Sequence, residues 1–127
     1  MAKQIISTPK VATPPAPISM ATKSGELLFV AGIVAMDPQR QLIGKGDIKA
    51  QTRQVIENIK ELVTAAGGSL LDITKTTVYI TDFANYAGMN EVYGEYFSKE
   101  PPARATVRVD LYSSDLLVEI DAIAVVN

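Results

Sequence analysis

The chain has 127 residues, 47% of them hydrophobic and 20% charged, with a formal net charge of −2 at pH 7 and neither histidine nor cysteine. That mix describes one soluble globular domain, expected to span residues 1–127 and to bury a substantial core. The missing residue types exclude disulfides, thiolate and imidazole metal sites, cysteine nucleophiles and histidine-based triads; an isoelectric point near 5.1 offers no global field for nucleic acid or an anionic membrane.

Residues 3–6 read as a short edge strand, and residues 1–10 contain no apolar signal core. Pro9, Pro14, Pro15 and Pro17 force 7–17 into an extended or turning arm, expected to be ordered because a strand-like run follows. Residues 18–23 alternate as a strand, and Ser24-Gly25 turns the chain. Residues 27–35 are apolar at every position, which predicts a central strand buried on both faces. The apolar run is too short to span a bilayer, so a cytoplasmic protein is expected.

After a loop from Asp37-Pro38 to Gly46, Asp47 is a good helix N-cap. Ile48, Val55, Ile59, Leu62, Val63 and Ala66 then recur at helical spacing, and Gly67-Gly68 ends the helix. Residues 74–81 are β-branched and strand-like. A second helix is expected from about Asn85, with Phe83, Tyr86, Met89, Tyr93, Tyr96 and Phe97 as its apolar stripe, and Pro101-Pro102 stops it. Residues 101–109 and 117–125 read as two final strands. The order predicts an α+β fold: a mixed sheet, hairpins at both ends, and two helices on one face.

The chemistry-bearing residues lie in those last strands. Arg104 and Thr106 share one face of the first, and Glu119 and Asp121 one face of the second. A charge in an apolar strand needs a partner or a ligand. The short connection suggests an antiparallel pair with Thr106 opposite Glu119 and Arg104 opposite Asp121. An ordinary cross-strand ion pair would satisfy that geometry. The functional reading is a site for a small carboxylic acid: a guanidinium that clamps a carboxylate bidentately and a glutamate that orients water or moves a proton. Asn90, an amide inside the apolar stripe, must also find partners. Gly44-Lys45-Gly46 lacks the spacing of a phosphate loop and reads as helix entry. No dense carboxylate cluster suggests a metal site.

Several segments resemble the Rid family (YjgF/YER057c/UK114): Gly32 at the end of its strand, Gln51-Thr52-Arg53-Gln54-Val55-Ile56-Glu57-Asn58, Thr76-Thr77-Val78-Tyr79-Ile80-Thr81-Asp82, Met89-Asn90-Glu91-Val92-Tyr93, Pro102-Ala103-Arg104 and Val118-Glu119-Ile120-Asp121. The resemblance spans nearly the whole chain in the same order. It implies a chorismate-mutase-like α+β fold, a homotrimer with sites between subunits, no cofactor and no metal, and hydrolysis of enamines and imines of small acids. Those include 2-aminoacrylate with its imine tautomer, 3-aminoacrylate and 2-aminomuconate; segments 49–53 and 80–86 are most similar to the 3-aminoacrylate deaminase branch. It carries the substrate-carboxylate role to Arg104, the water-orienting role to Glu119, and ligand contacts to Asn90 and Gly32. Thr106 is expected beside them.

The chain departs from the family pattern at two places. Ile18 stands where characterised members have a tyrosine in the proline-rich arm, and Ala31-Gly32-Ile33 replaces Ser-Gly-Gln, so Ile18 and Ala31 should line a more apolar pocket. Two other functions compete: a ligand-binding or chaperone-like module using the same pocket, and an endoribonuclease, which the absent histidine and acidic charge disfavour. The expected partners are a small carboxylate substrate and copies of the chain, with no nucleic acid and no membrane.

Overall fold

A computed structural model describes residues 3–127; Met1 and Ala2, the start of the stretch read as lacking a signal core, lie outside it. Six strands form one sheet: β1 Gln4–Ile6, β2 Ala21–Ser24, β3 Leu27–Ile33, β4 Ile73–Ile80, β5 Ala103–Arg108 and β6 Val118–Val125, in spatial order β1-β2-β3-β6-β4-β5. Two helices, α1 Ile48–Ala65 and α2 Tyr86–Phe97, cover one face. The fold is the expected mixed α+β arrangement.

Local chemistry sets the helix ends. The Asp47 side chain accepts a hydrogen bond from the Ala50 N–H and caps α1. Gly67, at a φ of 90°, takes the left-handed turn beyond its end, where a side chain would be strained. Along α1, Val55, Ile56, Ile59, Leu62 and Val63 are buried against Leu28, Val30, Ile120, Ala122 and Ala124 of the central strands. Val11, from the proline-rich arm, joins the same core.

The topology corrects three expectations. First, the last two strands form no hairpin. β5 runs parallel to β4 at the sheet edge, and β6 inserts antiparallel between β3 and β4. The second is register. A parallel neighbour needs a crossover, which α2 supplies between β4 and β5. Arg104 therefore lies beside Thr76 and Thr106 beside Val78, whereas Glu119 lies beside Tyr79 and Asp121 beside Thr77. The pairings of Thr106 with Glu119 and of Arg104 with Asp121 do not occur.

Third, β3 is buried on one face only. Leu28 and Val30 are buried, but Leu27 and Phe29 are exposed. They join Val107, Ile123 and Val125 on the face that no helix covers; Phe29 remains 42% exposed, Val107 39% and Ile123 36%. The apolar sequence of β3 thus reflects two different surfaces. No helix among the described residues is long and apolar enough to cross a membrane.

Candidate active site

Glu119 stands on the uncovered face of β6. Its neighbour β3 carries a bulge: Val30 pairs with Ala122 and Ile33 with Ile120, so β3 holds one extra residue there. Bulges re-aim side chains and open local space. Gly32 sits in it, and a Cβ at Gly32 would collide with the Glu119 carboxylate. The missing side chain makes room for the acid. Ile18 and Ala31 border the same cavity as Gly32 and Glu119. Burial pushes the Glu119 pKa above the ordinary carboxylate range, and the nearby Asp121 charge pushes it further; both oppose ionisation. Asp121 itself accepts a hydrogen bond of 2.8 Å from the Tyr79 hydroxyl.

The approach to Glu119 is held from below by Gln51, which is fully buried on α1. Its amide nitrogen donates to the carbonyls of Gly44 (3.1 Å) and Asp115 (2.9 Å), and its oxygen accepts from the Leu117 N–H (2.9 Å). One side chain thereby ties the helix entry to Asp115 and Leu117, in the segment that leads into β6. Sequence patterning missed it because Gln51 reads as a polar interruption of a helix, without a visible partner 66 residues away.

Arg104 stands on the other face of the sheet, at the β5 edge beside α2. Its guanidinium lies 4.8 Å from the Tyr93 ring centre and 5.8 Å from that of Tyr86, within cation–π range. One Nη donates to the Tyr86 hydroxyl at 3.0 Å. Beneath it, Tyr93 and Thr76 share a buried hydrogen bond of 2.7 Å. The Asn90 amide and then the Arg104 charge hold the Tyr86 phenol below its ordinary pKa. Thr106 and Phe83 complete an open hollow around Arg104 and Tyr86.

The site residues expected from sequence therefore fall into two groups. Glu119, Gly32, Ala31 and Ile18 gather on one side of the sheet; Arg104, Thr106 and Asn90 gather on the other. Of the expected α2 core stripe, Met89, Tyr93 and Phe97 are buried, joined by Val92, whereas Phe83 and Tyr86 are exposed. The interposed strand β4 keeps Arg104 and Glu119 apart within one chain. Among the described residues no cluster of acidic side chains suits a metal ion.

A model of the family described as Endoribonuclease L-PSP matches residues 9–126. A RutC family protein of Pyrococcus abyssi is 50% identical over 124 residues, 98% of each chain. A protein of Acinetobacter baylyi named 3-aminoacrylate deaminase RutC is 42% identical over 124 residues, again 98% of each. Among solved structures, E. coli TdcF with bound serine matches with a TM-score of 0.90 at 35% identity, covering 98% of this chain and 99% of that one.

Proposed function

The chain belongs to the Endoribonuclease L-PSP family, the Rid or YjgF family, and on that premise we propose that it is a hydrolytic deaminase of enamines and imines of small carboxylic acids, acting as a homotrimer. The observation that carries this reading is the division of the site. Arg104 and Glu119 stand on opposite faces of one sheet, and the Glu119 face is an uncovered, half-apolar surface of the kind that marks interfaces. A second copy laid against it brings its own Arg104 edge to the first copy's Glu119. Three such heterologous contacts close a ring.

In that composite site each residue has one task. The Arg104 fork binds the substrate carboxylate through two parallel N–H donors, with its plane set by Tyr93 and Tyr86. The backbone at Gly32 lets the reacting carbon approach Glu119. An enamine takes a proton on carbon and gives one up from nitrogen to become the imine. Water then adds its oxygen to the imine carbon, losing one proton, while nitrogen accepts one. In the resulting carbinolamine the hydroxyl proton passes to nitrogen, the C–N bond breaks, ammonia leaves, and a carbonyl acid remains. Burial and then the Asp121 charge raise the Glu119 pKa, the direction that suits it to move these protons, since a general acid–base works best with a pKa near the working pH.

The relative named 3-aminoacrylate deaminase and the serine-bound relative favour a three-carbon amino-acid skeleton. The absence of histidine and the net charge of −2 do not favour phosphodiester cleavage. The reading is tested with 2-aminoacrylate generated in place by a serine dehydratase, and with 3-aminoacrylate. Ammonia release well above the spontaneous rate is expected with at least one. Rates equal to the spontaneous ones with both would leave a binding module instead.

A further inference from the structure

Two polar residues beside Glu119 have no part in the reaction as drawn above. Tyr79 on β4 stands directly opposite Glu119, and Asp121, opposite Thr77, is the next residue of β6 on the same face. Successive same-face positions of a strand lie about 7 Å apart. The Tyr79 hydroxyl reaches diagonally across the pair and donates to an Asp121 carboxylate oxygen at 2.8 Å, a span that aromatic side chains cover between neighbouring strands. All three residues are half-buried.

That bond fixes a charge. A carboxylate that accepts from a phenol is favoured in its ionised form and held in one place. Asp121 is thus an anion one step along the strand from the reacting acid. A like charge at that distance disfavours ionisation of the second group, more strongly once the face is covered and water no longer screens the pair. The Glu119 pKa is displaced in that direction, first by burial and then by Asp121. The bond to Asp121 is also the main cause that raises the Tyr79 pKa, so the phenol remains a donor at neutral pH.

Other charges near the pair are sparse. β3 brings Phe29 and Ala31 to this face, neither of them ionisable. Lys75 of β4 shares the face, but it stands beside Ile123, nearer Asp121 than Glu119. Arg40 and Tyr112 border the cavity that Glu119 lines. In the composite site the Arg104 of a neighbouring copy adds a cation, which favours ionised Glu119. A fixed anion opposes it.

We propose that Asp121, held by Tyr79, is a positioning residue for Glu119: its charge keeps on Glu119 the proton that a nearby guanidinium would help to remove, and so keeps the acid able to protonate the enamine carbon. The place of this device in the reaction rests on the deaminase reading; its effect on the Glu119 proton does not.

The test titrates Glu119 in the full chain carrying carbon-13 in its glutamate carboxyl groups, with Glu119→Gln identifying the signal. Asp121→Asn keeps the size and an oxygen that still accepts from Tyr79, so Tm should change little. In Asp121→Asn, Glu119 should titrate at lower pH than in the wild type. Tyr79→Phe should move the titration in the same direction by less, and adding it to Asp121→Asn should move it no further, because Tyr79 acts through Asp121. The pH profile of kcat/KM should follow, since it reports groups of the free enzyme: the limb that coincides with the Glu119 titration moves to lower pH in Asp121→Asn. An unchanged Glu119 titration in Asp121→Asn overturns the proposal, and so does a titration that moves while the limb stays. A further shift from Tyr79→Phe in the Asp121→Asn background overturns the role of Tyr79 as the holder of Asp121. A wild type that turns over neither 2-aminoacrylate nor 3-aminoacrylate removes the deaminase reading, and the titration, read without substrate, then decides alone whether Asp121 governs the Glu119 proton.

Discussion

Arg104 and Glu119 carry opposite charges on opposite faces of one sheet, and their surroundings are built in opposite ways. Arg104 is held by partners: two tyrosine rings and a hydroxyl surround it, and the hollow beside it is open. Glu119 is held by the lack of them: a glycine leaves it space, burial disfavours its charge, and the nearest acid repels it. A cation that must keep its charge while it exchanges water for a ligand needs acceptors and aromatic faces around it. A group that must exchange a proton needs a pKa moved towards the working pH. The comparison teaches that the two halves should fail differently when altered.

The largest effect is expected at Glu119. Glu119→Gln keeps size and removes the exchangeable proton, so kcat should fall by about 10²–10⁴-fold with KM little changed. The same variant reports the burial. Because the folded pKa of Glu119 is raised, its contribution to stability is fully present below the ordinary carboxylate pKa and is lost as pH rises through the raised value. Urea unfolding should therefore show Glu119→Gln gaining on the wild type as pH rises across that window. A gap that stays constant with pH would mean that Glu119 is not desolvated.

At Arg104 the loss should appear in binding. Arg104→Lys keeps the charge but not the planar fork or its stacking, and kcat/KM should fall by most of the roughly 2–5 kcal/mol that truncating a paired charge costs. Circular dichroism should stay native, since β5 is an edge strand. Near-wild-type kcat/KM would show that a point charge suffices and would end the clamp reading. The smallest effect is expected at Tyr86. Tyr86→Phe keeps the ring and removes the acceptor for Arg104, so KM should rise roughly threefold to tenfold with kcat unchanged. Since the Tyr86 phenol titrates below its ordinary value, the wild type should also show KM rising at alkaline pH, where a tyrosinate competes for Arg104. Tyr86→Phe should lack that limb, and an identical limb in both proteins would remove Tyr86 from the site.

The two halves were not equally legible in the sequence. Both helices, the glycine ends and the strand positions followed from periodicity and capping, because those signals are local. Residue types also singled out Arg104 and Glu119, since charges in apolar strands are conspicuous. Their relation was not legible. Side chains alternate with a period of two, so a shift of one residue moves a strand's whole set to the other face. The row across the sheet is Glu119, Tyr79, Val107, one residue from the expected Thr106, and the whole of β4 lies between. A short connection suggested a hairpin, and nothing local reveals that β6 inserts into the middle of the sheet. Tyr86 was hidden for a related reason: at helical spacing it belongs with Met89 and Tyr93, yet α2 turns it outward at its first residue.

The division of the site between copies is tested most directly by mixing two inactive proteins. Arg104→Ala and Glu119→Gln chains are unfolded together in equal amounts, refolded, and assayed for deamination. If each site takes Arg104 from one chain and Glu119 from its neighbour, random assembly leaves about one quarter of the sites with both groups intact, and about that fraction of wild-type activity should return. If one chain supplies both groups, no mixed assembly holds a complete site, and activity that stays at the level of the separate variants would contradict the account.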